Sequence, residues 1–135
     1  MQEIIIQIIN TLKNDATLTA IIPATQIFVG PVDIVTQTQS GLQLPQINLH
    51  VISEVSRTVP SNVRDTMIQI DIWSRNSHLE VVNVYERILT LLNYLSGNQS
   101  TAHTFWMRLA GSVDDYESDR RIFHRSLTMI VWSSK

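Results

Sequence analysis

The stretch TMIQIDIWSRNSHLEVVNVYERILTLLNYLSGN, residues 66–98, changes its hydrophobic period part-way along, and that change decides the fold. Up to Trp73, Ile68, Ile70 and Ile72 alternate with Gln69 and Asp71, the period of two that a half-buried strand requires. Beyond Ser77 the apolar residues Val81, Val84, Tyr85, Ile88, Leu91, Leu92 and Leu95 recur at helical spacing. They leave Asn83, Glu86, Arg87, Thr90 and Asn93 as a narrow polar strip, so the helix has a broad buried face. Ser77 and Glu80 have the spacing of a capping box, in which each side chain satisfies the other residue's amide, and Gly97 stands where the helix should end.

On either side the pattern repeats as strand pairs. Ile47, Leu49 and Val51 alternate with Asn48 and His50, and the segment SRTVPSNVRD at 56–65, with Pro60 at its bend, joins this strand to the one ending at Trp73. Towards the C-terminus Met107, Leu109 and Val113 alternate with Arg108 and Ser112, and Leu127, Met129 and Val131 alternate with Ser126 and Thr128. The charged run DDYESDRR at 114–121 separates these two strands. Near the N-terminus Ile4, Ile5, Ile8, Ile9 and Leu12 mark an amphipathic helix to which Ile6 is the exception. Asp15 is a plausible N-cap for a short turn that Pro23 stops. Residues 27–45 read as a long, nearly uncharged loop with short extended pieces, and a loop of that length tends to be functional or mobile. The expectation is one α+β domain over 1–135, with an antiparallel sheet of about four strands and two main helices packed on one face.

The totals narrow the function. A chain of 135 residues has room for one hydrophobic core. Charged residues make up 16% of it, below the ~25% usual for soluble domains, which hints at association. A net charge of -2 and a pI near 6.0 give no basic footprint for wrapping nucleic acid. There is no cysteine, so disulfides, thiolate metal sites and cysteine nucleophiles are excluded. No segment approaches the ~20 apolar residues of a membrane span, and the N-terminus lacks the features of a signal peptide, so the chain reads as soluble and not exported.

Site chemistry is sparse. His50, His78, His103 and His124 are scattered without metal-pair spacing. The acidic group Asp114, Asp115, Glu117 and Asp119 lacks the glycine and distal glutamate of a calcium loop, and Arg120 and Arg121 follow to neutralise it, so a turn with local or intersubunit ion pairs is the better reading. Neither a phosphate loop nor a nucleophile elbow is present. No enzyme activity, metal or cofactor is expected.

The tryptophans ask for an explanation. Trp73, Trp106 and Trp132 each fall in the polar phase of a strand, so they share a sheet face with Ile52, Met67 and Ile130 and with the polar residues Asn48, His50, Gln69, Asp71, Arg108 and Thr128. That mixture resembles an interface more than a solvated face, and Trp often anchors interfaces. The alternatives are that the long loop folds back over this face or that each Trp caps the sheet rim within one subunit. Aromatic residues on an open sheet also raise the possibility of a base-stacking module, which the missing basic stripe speaks against.

Several segments carry a resemblance. The helix ending in NDATLTAII, then IFVGPV, LPQINLHVIS, VRDTMIQIDIWSRN and RLAGSVDDYESDRRIFHRSLTMIVW resemble the tail completion proteins of long-tailed bacteriophages, a group that includes tail terminators and head-to-tail joining proteins. The resemblance runs from Ile4 to Trp132, and VTQTQSG at 35–41 departs from it in being longer and richer in Gln and Thr. It implies a structural virion protein of the tail or neck, assembled in the bacterial cytoplasm. The implied ring, typically a hexamer, caps the tail tube, ends its polymerisation and offers a docking surface to the head connector, while genome DNA passes through. The alternative is a joining protein that stays monomeric until it meets its partner. Candidate subunit or partner contacts are Trp73, Trp106, Ile130 and Trp132 on the sheet face, with Pro60, Tyr116, Glu117, Asp119, Arg120 and Arg121 at the hairpin tips.

Overall fold

The computed structural model describes residues 2–30, 44–56, 63–98, 104–118 and 121–134. Helix α1 spans Gln2–Lys13 and buries Ile4, Ile5, Ile8, Ile9 and Leu12, while Ile6 points outward as its spacing requires. The short α2, Ala16–Thr19, begins where the Asp15 carboxylate accepts the Leu18 amide at 2.9 Å. A 3-10 turn at Ala24–Gln26 leads into strand β1, Ile27–Val29. The remaining elements are β2, Gln46–Ser56; β3, Val63–Ser74; α3, His78–Leu92; β4, Ser96–Asn98; β5, Thr104–Glu117; and β6, Ile122–Ser134.

Among the described residues the strands form one six-stranded sheet in the order β1-β2-β3-β6-β5-β4. The four strands expected from alternation are its long antiparallel centre, β2-β3-β6-β5. Two three-residue strands extend it at the edges, and β1 runs parallel to β2, so the sheet is mixed. Segments that short carry no readable period.

Register sets the core. Ile47 opposes Ile72, Leu49 opposes Ile70, Ile68 opposes Met129, and Met107 opposes Val131. This face packs beneath α1 and α3, whose Val81, Val84, Ile88 and Leu92 are buried against it. The Arg87 guanidinium of α3 grips the Asp15 carboxylate with two bonds of 2.6 and 2.8 Å, tying α3 to the cap of α2.

Three local expectations change. Bulges between Val51 and Ser53 and between Leu109 and Gly111 shift the register of β2 and β5. One extra residue sends every following side chain to the opposite face, so Val113 leaves the core side on which Met107 and Leu109 lie. Helix α3 stops at Leu92 and not at Gly97, which belongs to β4. Tyr94 turns to φ 64°, its N–H donates to the Met107 carbonyl, and Met107 donates back to Leu95, so β5 captures the backbone the helix would have used. At the other end Ser77 caps through the Glu80 amide at 3.1 Å, but the Glu80 carboxylate accepts from Ser74 and Asn76, which close the entry turn in its place.

Candidate functional site

The face opposite the helices carries the expected group. In register, Trp73 stands across from His124, Met67 from Ile130, Asp65 from Trp132, and Trp132 from Trp106, so Met67, Trp73, Trp106, Ile130 and Trp132 share one side of the sheet. They do not form one patch. Trp73 and Trp132 oppose positions of β3 and β6 whose β6 members, His124 and Trp132, lie eight residues apart, or ~27 Å at ~3.4 Å per residue.

Trp73 belongs to a polar network inside the subunit. Its ring lies flat on His124, with centroids 3.7 Å apart and planes 1° from parallel. Its indole N–H donates to Asn48 Oδ1 at 2.9 Å, and Asn48 Nδ2 donates to the carbonyl of Gly30, which holds a φ of +119° that favours glycine. Asp71 sits at the centre of this network, 4% exposed although no helix among the described residues covers the face. Its carboxylate accepts from Gln69 at 3.0 Å and bonds His124 Nε2 at 2.8 Å, while His50 Nδ1 stands 3.9 Å away. Burial works to raise the Asp71 pKa, but the bonds from His124, Gln69 and Ser126 and the attraction of His124 outweigh it and hold the carboxyl below its ordinary value.

The other two indoles make an exposed aromatic corner. Trp106 stacks on Trp132 with centroids 4.5 Å apart, Tyr94 flanks Trp106 at 6.2 Å, and the Arg108 guanidinium lies over Trp132 at 5.4 Å. Trp106 is 40% exposed and Met67 is 36% exposed. Between this corner and the far end of β5, the small residues Gly111, Ser126 and Thr128 leave an open depression of about 380 Å³ bounded by Met67 and Val113. Arg108 and Tyr94 were not singled out from the sequence as site residues, although Arg108 sits two positions from Trp106 in the same strand phase.

The hairpin candidates lie elsewhere. Tyr116 is on the helix-side phase of β5, half exposed, with its ring 4.7 Å from Phe123. Glu117 ends β5, and Arg121 begins the return with φ 55° and an exposed side chain. Asp114 at this end pairs at 3.0 Å with Arg125, a residue of β6 and not one of the two arginines that follow the acidic run. Pro60, Asp119 and Arg120, and the 31–43 part of the long loop, lie outside the described residues. Among the described residues no three His, Asp or Glu side chains converge as a metal site would need, and no helix is long and apolar enough to cross a membrane.

A model of the family described as "Tail completion protein gp17" matches residues 6–134. The chain belongs to that family. As a tail completion protein it is a structural protein of a phage tail, in agreement with the resemblance carried by its strands and charged turn. A chain from a structure described as "Virion of native gene transfer agent (GTA) particle" shares its fold, with a TM-score of 0.71 at 11% identity over 95% of this chain and 92% of that one. No curated protein matches the sequence.

Proposed function

We propose that copies of this tail completion protein close into a ring, six to a turn, on the last ring of the tail tube. There the ring ends polymerisation and presents a surface to the head connector. The observation that carries this reading is the one-sided layering: the described helices serve one sheet face, and Met67, Trp106, Ile130 and Trp132 stay wholly or partly open on the other. A tube grows because each ring recruits the next, so a terminator must match that surface on one side and withhold it on the other. Contacts between unlike surfaces of identical subunits, closed around an axis, join the copies without continuing into a filament.

The base-stacking alternative is disfavoured by geometry. The indoles are divided between two ends of the sheet, and Arg108 is the single Lys or Arg among the described strand positions of this face. Light scattering after size exclusion, and negative-stain images with and without tail-tube protein, test the proposal. Rings alone or on tube ends are expected. A monomer that ignores tube ends overturns the terminator role, and one that binds only the connector points to a joining protein.

A further inference from the structure

We infer that β5 carries both halves of the contact between neighbouring copies: Trp106 and Arg108 at one end meet Val113 and Asp115 at the other end of the next copy. The inference rests on the ring reading and deepens it. Because of the Leu109/Gly111 bulge, both pairs project from the uncovered face, although their spacing alone would place them on opposite sides. Each pair is an apolar side chain followed two residues later by a charge, and the charges are opposite.

Neither charge is matched among the described residues of the subunit. Arg108 lies over the Trp132 ring and has no carboxylate partner among the described residues. Asp115 accepts only the backbone N–H of Tyr116 among the bonds of the described residues. Their partners on β6, Ile130 and His124, lie six steps apart, ~20 Å, well past the ~8 Å over which exposed charges act at physiological salt. One subunit therefore cannot neutralise its own pair, and a second copy offers both missing partners. Val113 is 68% exposed and Trp106 40%, so the charged contact would be flanked by apolar surface that both copies withdraw from water.

In a ring each copy gives its acidic end to one neighbour and takes the acidic end of the other, whereas a two-fold pair would satisfy both ends at once and stop at two copies. The test is a charge exchange, with assembly read by light scattering over a protein dilution series with tube ends present. Arg108→Glu and Asp115→Arg should each raise the concentration at which rings form by roughly tenfold or more, and the double exchange should bring it back to within about threefold of the parent. Both positions are exposed, so thermal melting of the unassembled chain should be unchanged, which separates lost contact from lost fold. Rings that form equally well in both single variants overturn this contact and leave the ring reading intact. Single losses that the double exchange does not rescue overturn it as well. A parent chain that forms dimers, or that never assembles, removes the ring reading and the directional contact together.

Discussion

Trp106 and Trp132 stack across the β5–β6 ladder with their planes 18° from parallel, and only the first of them is exposed. The pair is thus anchored in the sheet by one indole and open to a partner through the other. Aromatic stacking of this kind contributes about 0.5–1.5 kcal/mol beyond the area it buries.

The two residues should respond differently to truncation. Trp132→Ala is expected to lower monomer stability by roughly 1–3 kcal/mol, because it removes the seat of both Trp106 and Arg108. Trp106→Ala should cost about 1 kcal/mol or less in folding yet weaken assembly at least as much. Urea unfolding alongside light scattering separates the two effects. Equal losses of stability and assembly in both variants would return the indoles to a purely internal role.

Gly111 offers a cleaner probe of the same face. A Cβ there would meet nothing within 4 Å, so the side chain of Gly111→Leu starts in open space and is expected to reach into the depression. Stability is expected to stay within about 0.5 kcal/mol of the parent. Ring formation should fall sharply if the depression is covered on assembly, and unchanged rings would place the contact elsewhere.

Asp71 makes the fold sensitive to acid. Because its folded pKa is lowered, the ionised carboxylate is held better by the native network than by the unfolded chain. Its contribution is fully present above the ordinary carboxylate range near pH ~4 and is lost as pH falls through the lowered native value. Asp71→Asn should cost about 1–3 kcal/mol at neutral pH and flatten the loss of stability between pH ~4 and pH ~2. Urea midpoints measured across that range check both statements.

Asp15 acts in the same direction at a different joint. The Arg87 guanidinium beside it, helped by the Leu18 amide, holds its carboxyl below the usual range. Asp15→Asn keeps part of the cap but loses the paired charge, so it should lower the melting temperature above pH ~4 and have little effect well below it. A shift of equal size at low pH would show that shape and not charge matters there.

The long central strands were legible because their alternation is strict: Ile68, Ile70 and Ile72 cannot face the core in any other conformation without exposing apolar surface. The helices were legible from their spacing and from Asp15 and Ser77 as caps. What the sequence concealed was the set of places where the backbone departs from regular form. The bulge at Leu109/Gly111 reversed the side of Val113, and the bond from Tyr94 to Met107 ended α3 three residues early. Neither has a composition of its own, because each depends on a strand that arrives from elsewhere in the chain. The candidate surface divided in the same way. Phase placed the indoles on one side, but only register could separate Trp73, bound to Asn48 and His124, from the open corner at Trp106.

Because the described helices pack against one side of the sheet, the ring contact proposed here would draw on the other side of the same strands, residue by alternate residue. On that reading, substitutions at Trp106, Arg108, Val113 or Asp115 would retune which neighbour is accepted while Met107, Leu109, Leu127 and Met129 keep the interior intact. Such a scaffold could be refitted to a differently shaped joint by changing only its outward-facing alphabet, at little risk to its own folding.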